Sequence, residues 1–187
     1  MARTQYYAAM SFDGYIARPD GGIDWLQSYG AESDLGDGPM SDGSYDEFYA
    51  EVGALVMGSA TYEWILEHAK AWPYDRPGWV FTTRELPQPP GGKVRFAKDD
   101  LEGVCEAALD AADGKNVWMV GGGNLASQWA ARGLIDEIIV TMVPVFIGEG
   151  LPFFKGPIAG EFNHVQTTTR SNGMVELRYE LPRSLGQ

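Results

Sequence analysis

Three short stretches place backbone N–H groups, hydroxyls and one guanidinium where an apolar run ends. Gly121-Gly122-Gly123-Asn124-Leu125 follows the run Val117-Trp118-Met119-Val120 and opens a helical pattern. Gly58-Ser59-Ala60-Thr61 stands in the same relation to Ala54-Leu55-Val56-Met57. Thr82-Thr83-Arg84 closes a third run, Trp79-Val80-Phe81. A strand that turns directly into a helix leaves the first N–H groups of that helix without partners, and glycine lets an anion approach them. Two such junctions suit two phosphates of one extended cofactor. Each alone reads as well as a tight turn with an N-cap; their recurrence at several strand ends favours the ligand.

The glycines also match the dinucleotide pattern G-x-G-x-x-A from Gly121 to Ala126. Three features argue against a doubly wound dinucleotide fold. The pattern lies late in the chain rather than in a first strand–helix unit. Thr141-Met142-Val143 occupies the region where an acidic ribose ligand is expected. Too little chain follows to complete another half. Other chemistries fare worse: the two histidines, His68 and His164, follow no nucleophile elbow, and no His/Cys cluster suggests a metal.

The elements that must position these stretches can be read in order. Gln5 to Met10 is a strand, ending at the Asp13-Gly14 turn; Arg18 through Gly43 is a long loop with interleaved aromatics. Ser44 to Glu51 is a helix whose Tyr45, Phe48 and Tyr49 suit core packing or the wall of a flat ligand site. Ala54–Met57, Trp79–Thr83, Lys93–Ala97 and Asn116–Val120 are strands, with helices through His68, from Leu101 to Ala112 behind an Asp99 or Asp100 cap, and from Asn124 to Arg132. Asp136–Val143 is the clearest strand, and Glu161–Leu181 a hairpin turning at Asn172-Gly173. Strands alternating with helices predict an α/β domain with helices on both faces of a mostly parallel sheet of about eight strands, closed by an antiparallel hairpin. Residues 1–187 read as one domain.

A net charge of -12 argues against nucleic-acid and anionic-membrane surfaces, which need a basic face. No apolar run approaches a membrane span or a signal peptide. A lone cysteine, Cys105, excludes an internal disulfide and suits a cytoplasmic protein.

Four segments, in order, resemble the dihydrofolate reductase-like superfamily, closest to the C-terminal reductase domain of bifunctional riboflavin-biosynthesis proteins and its stand-alone relatives. They are Met10-Ser11-Phe12-Asp13-Gly14-Tyr15-Ile16-Ala17, Leu55–Glu63, Val120-Gly121-Gly122-Gly123, and Pro144–Phe154. The resemblance implies an NADPH-dependent reductase, with NADH the alternative donor, acting on a C=N or C=O group of a small molecule, and a homodimer. A nucleotide-binding protein of the same fold without turnover is the alternative. By position, Ala8, Ile16 and Ala17 would flank the nicotinamide. Gly58, Ser59 and Thr61, with Gly121, Gly122, Gly123, Asn124 and Leu125, would hold the phosphates. Thr83 and Arg84 would sit by the adenosine ribose. Relatives commonly carry an arginine directly after the first glycine; Ser59 stands there, leaving Arg84 as the candidate for a 2′-phosphate.

Reducing such a group also needs a proton. In dihydrofolate reductases a carboxylate on the helix after the first loop fills that role; Asp42, Asp46 and Glu47 fall in that region, and Asp13 and Asp24 are alternatives from the loop. Asp46 and Asp13 are the candidates, against the competing reading of solvated surface carboxylates. Between Arg18 and Lys70 there is no Lys or Arg. If that segment walls the substrate pocket, a phosphate or glutamate tail must depend on cations from elsewhere, such as Arg95 or Lys155, or on backbone amides. A substrate diverged from both relatives is therefore expected.

Overall fold

A computed structural model describes residues 1–29, 44–69, 71–158 and 160–182. The first half runs β1 (Thr4–Ser11), β2 (Tyr15–Ala17), α1 (Asp24–Gln27), α2 (Ser44–Ala50), β3 (Val52–Gly58), α3 (Ser59–His68) and β4 (Gly78–Phe81). The second runs β5 (Val94–Ala97), α4 (Leu101–Ala111), β6 (Asn116–Gly121), α5 (Gly123–Ala131), β7 (Glu137–Val143), β8 (Leu151–Pro152), β9 (Asn163–Thr169) and β10 (Val175–Glu180). Eight strands form one sheet in the order β5-β4-β3-β6-β1-β7-β10-β9. The first six in that order are parallel, and the β9–β10 hairpin closes the sheet antiparallel against β7.

Unbroken apolar runs need cover on both faces, and β3 is buried from Val52 to Met57. Successive residues of a strand point to opposite faces, so each strand feeds two cores. On one face Tyr6, Val56, Trp79 and Met119 pack against Leu101, Val104 and Cys105 of α4 and Leu125, Ala126 and Trp129 of α5. On the other, Tyr7, Leu55, Met57 and Trp118 pack against Tyr62 and Ile65 of α3 and the aromatic side of α2. There Tyr45, Phe48 and Tyr49 surround Trp118 at ring distances of 5.9, 5.4 and 6.4 Å, and the Trp118 indole N–H donates to the Tyr7 carbonyl at 3.0 Å. These three aromatics are partly buried and packed against that core. Asp100, rather than Asp99, caps α4 by accepting from the Gly103 N–H at 2.9 Å.

Two features depart from the expected outline. The segment read as a loop from Arg18 to Gly43 holds α1, and residues 30–43 lie outside the described residues. A second sheet pairs β2 with β8, two strands too short to show a period of two. Beside it, Asp13 ties the β1–β2 turn to the segment after β7. Its carboxylate accepts from the Ser11 hydroxyl at 2.6 Å, the Gly148 N–H at 2.7 Å and the Ile147 N–H at 3.2 Å. Of the apolar residues in that region, Phe153 belongs to the core, whereas Phe146 is 74% exposed and packs edge-on against Phe12.

Two measurable consequences follow from this packing. A methyl at Gly53 would overlap the backbone of Ala112 at the end of α4, an obstacle that cannot rotate away. Gly53→Ala is expected to lose about 2–3 kcal/mol of unfolding free energy, read as a lower urea midpoint at unchanged slope. At Asp13, the Ser11 hydroxyl first and then the Gly148 and Ile147 amides hold the carboxyl below its ordinary value. A depressed folded value means that the anchor contributes fully above the unfolded value of about 3.9 and is lost as pH falls through the lower folded one. Amide exchange at Ile147 and Gly148 is expected to show no such loss of protection with acid in Asp13→Asn, which lacks the titrating group; identical acid profiles for the two proteins would contradict this.

Candidate functional site

β3 and β6 are parallel neighbours whose register places Met57 opposite Gly121. Each turns at its carboxyl end directly into a helix. Gly58 is the N-cap of α3 and Gly122 that of α5; both are extended, and neither helix receives a side-chain cap. No acidic residue lies in either first turn. The N–H groups of Ser59, Ala60 and Thr61, and of Gly123, Asn124 and Leu125, therefore form two electropositive ends that no capping side chain satisfies among the described residues. The two ends are adjacent. A methyl at Gly58 would lie 3.8 Å from the Gly122 nitrogen and 3.9 Å from the Gly121 carbonyl oxygen.

The three glycines have three different surroundings. Gly121 takes a φ of +148°, a region that side chains rarely adopt, and its peptide bond to Gly122 is cis. A methyl at Gly122 would meet nothing closer than the Thr61 hydroxyl at 3.7 Å. At Gly123 a methyl would overlap the carbonyl oxygens of Pro152 and Phe153. Here Lys155 N–H donates to the Gly123 carbonyl at 3.1 Å, so the segment after β8 packs directly on the start of α5.

The third strand end joins the same edge, because β4 runs parallel to β3. The Arg84 N–H donates to the Thr82 hydroxyl at 3.0 Å, closing the turn after β4. The guanidinium reaches back to α3. Nη1 donates to Glu63 Oε1 at 2.9 Å, and Nη2 contacts both Glu63 Oε2 and the Ser59 hydroxyl, the latter at 3.3 Å. Thr83 is exposed beside it. Glu63 was not a candidate in the sequence, since nothing local marks a helix residue as the partner of an arginine 21 positions away.

β1 ends at the same edge, next to β6. Ala8 and Ile16 pack at the margin of the core that contains Leu125 and Phe153, and Ala17 is buried in β2. The candidate proton donors are not brought there as free acids. Asp13 is the anchor described above. Asp46 and Glu47 are exposed on α2, whose Tyr45 and Phe48 face the core. Asp24 is exposed and paired with Arg18 at 2.8 Å, and Asp42 lies outside the described residues. Arg95 is also displaced from the α2–α3 face: its guanidinium lies 4.9 Å over Trp79, a residue of the α4–α5 core. A further polar group was missed. Trp25 of α1 is 4% exposed against Ala9, Val143 and Met174, and its indole N–H has no partner among the described residues. Among the described residues no His, Cys, Asp and Glu group could hold a metal, and no helix is long and apolar enough to cross a membrane.

Comparison with known proteins agrees with this geometry. Residues 66–175 match the model of the RibD C-terminal domain. The uncharacterized protein YwjB of Bacillus subtilis (strain 168) is 33% identical over 184 residues, covering 95% of this chain and 97% of YwjB. A crystal structure of a protein named for riboflavin biosynthesis, from Shewanella sp. PV-4, superposes with a TM-score of 0.79 at 28% identity, covering 95% of this chain and 98% of that one. Dihydrofolate reductase from Enterococcus faecalis, complexed with NADP(H), shares the fold at a TM-score of 0.62 and 18% identity, with 95% of each chain covered. The chain belongs to the RibD C-terminal domain family.

Proposed function

We propose that this chain is an NADPH-dependent reductase, with NADH the alternative donor, reducing a C=N or C=O group of a small heterocyclic or sugar-like substrate. The observation that carries the reading is the pair of adjacent helix N-termini without side-chain caps, at Ser59 and Gly123. The relatives support it: one is named for riboflavin biosynthesis, and another is a reductase complexed with NADP(H).

Bound NADPH supplies the hydride. In this reading the Ser59–Thr61 and Gly123–Leu125 amides bind its phosphates, and Gly58, Gly121 and Gly122 let them approach the backbone. Thr83 and Arg84 lie by the adenosine ribose, and Ala8, Ile16 and Ala17 shape the nicotinamide pocket and exclude water. Of the candidate donors, Asp13 is held ionised as an anchor and Asp46 is exposed on α2, which leaves an ordered water, or Asp42 outside the described residues, as the proton source in this reading. No basic residue of the chain between Arg18 and Lys70 faces that substrate, and Arg95 lies over the other core. A phosphate or glutamate tail at this wall would therefore depend on Lys155 or on backbone amides, and a substrate diverged from both relatives fits the wall better.

Titration with NADPH, followed separately from its oxidation, tests the reading. Binding is expected, and its failure overturns the proposal. Binding without oxidation by any carbonyl or imine tried favours the non-catalytic nucleotide-binding alternative. Turnover of dihydrofolate or of 5-amino-6-(5-phosphoribosylamino)uracil above about 1 s⁻¹ would contradict the divergent substrate. The glycines give a sharper check. Gly58 has ordinary backbone angles and room for a methyl, so nothing in the fold itself requires glycine there. Gly58→Ala is expected to lower the thermal midpoint by only a few degrees, the cost of alanine at an N-cap, and to weaken NADPH binding about tenfold, or ~1.4 kcal/mol; unchanged affinity would move the phosphates elsewhere.

A further inference from the structure

Glu63 lies one helical turn beyond Ser59, on the same side of α3. Both terminal nitrogens of Arg84 are turned onto its carboxylate, and one of them also reaches the Ser59 hydroxyl. The Arg84 and Glu63 side chains are 58% and 38% exposed. A pair this exposed adds little to stability, and its net charge is zero. The guanidinium that touches the first turn of α3 thus presents a fork already filled by an anion.

That arrangement has a consequence for the cofactor site proposed above, and the inference rests on that reading. NADPH and NADH differ by the 2′-phosphate on the adenosine ribose. A phosphate seeks the paired N–H groups of an arginine, but a dianion approaching Arg84 meets the Glu63 carboxylate at ion-pair range. It must either displace that carboxylate, leaving it unpaired, or bind beside it against like charge. We propose that Glu63 is a specificity-determining residue that competes with the 2′-phosphate for Arg84 and so keeps the preference for NADPH over NADH small. Arg84 supplies attraction for the phosphate, and Glu63 cancels most of it. NADH places only an uncharged hydroxyl there, so its affinity depends far less on the charge of the pair.

Binding of NADPH and NADH to the full chain, titrated through nucleotide fluorescence, tests this without any substrate. Glu63→Gln keeps the shape and an acceptor for Arg84 while removing the charge. It is expected to raise the NADPH-to-NADH affinity ratio about five- to tenfold, chiefly by tightening NADPH, and to make NADPH binding more sensitive to salt. Arg84→Gln is expected to weaken NADPH while leaving NADH within about twofold. If Glu63 only stabilised α3, its replacement would shift both nucleotides together and leave the ratio unchanged; that result overturns the inference while the cofactor reading stands. Failure of the unmodified chain to bind either nucleotide overturns both.

Discussion

The register that sets Met57 opposite Gly121 makes two helices, far apart in sequence, start so close together that a methyl on Gly58 would touch Gly122. Parallel strands share one carboxyl edge, so every helix that follows its strand without a loop delivers its N-terminus there. β3 and β6 do this at Gly58 and Gly122, β4 brings Arg84 alongside, and β1 adds Ala8 and the β1–β2 turn. The two cores hold the edge in place. Trp118 locks β6 to α2 on one face, and Leu125 and Trp129 lock α5 on the other.

A chain with a net charge of -12 is an unfavourable host for an anionic cofactor at long range. Screening confines that repulsion to about 10 Å at ordinary ionic strength, which leaves local groups to decide. Here they are chiefly backbone amides, which carry no counterion and cannot be neutralised by a neighbouring carboxylate in the way that Arg84 is. The first turns of α3 and α5 contain no acid, although acidic residues are abundant elsewhere.

Much of this was legible in the sequence, because it rests on local signals. The order of the eight strands of the main sheet, an acidic cap at Asp99 or Asp100 and the Asn172-Gly173 turn follow from spacing and residue type alone. The glycine run marked the site but concealed its causes: Gly121 answers to a backbone angle, Gly123 to the carbonyls of Pro152 and Phe153, and Gly122 to neither. Non-local pairs were invisible. Glu63 meets Arg84 only because β4 lies beside β3, and Asp13 meets Ile147 and Gly148 across 134 and 135 positions. Asp13 drew attention as an acid because a carboxylate in a loop reads the same whether it transfers a proton or holds two amides. The β2–β8 pair escaped because strands of three and two residues have no period to detect.

The close seat of Gly123 under the chain that follows β8 ties the rim of the molecule to its centre. The Phe153 carbonyl that crowds Gly123 also accepts the hydroxyl of Tyr6, at 2.8 Å, and Tyr6 has no exposed surface. Pulling Phe153 outward would strand that hydroxyl in an apolar interior, at about 1–3 kcal/mol. The start of α5 is thus mounted on a post that runs through the protein, and its stiffness comes from a tyrosine with no surface of its own.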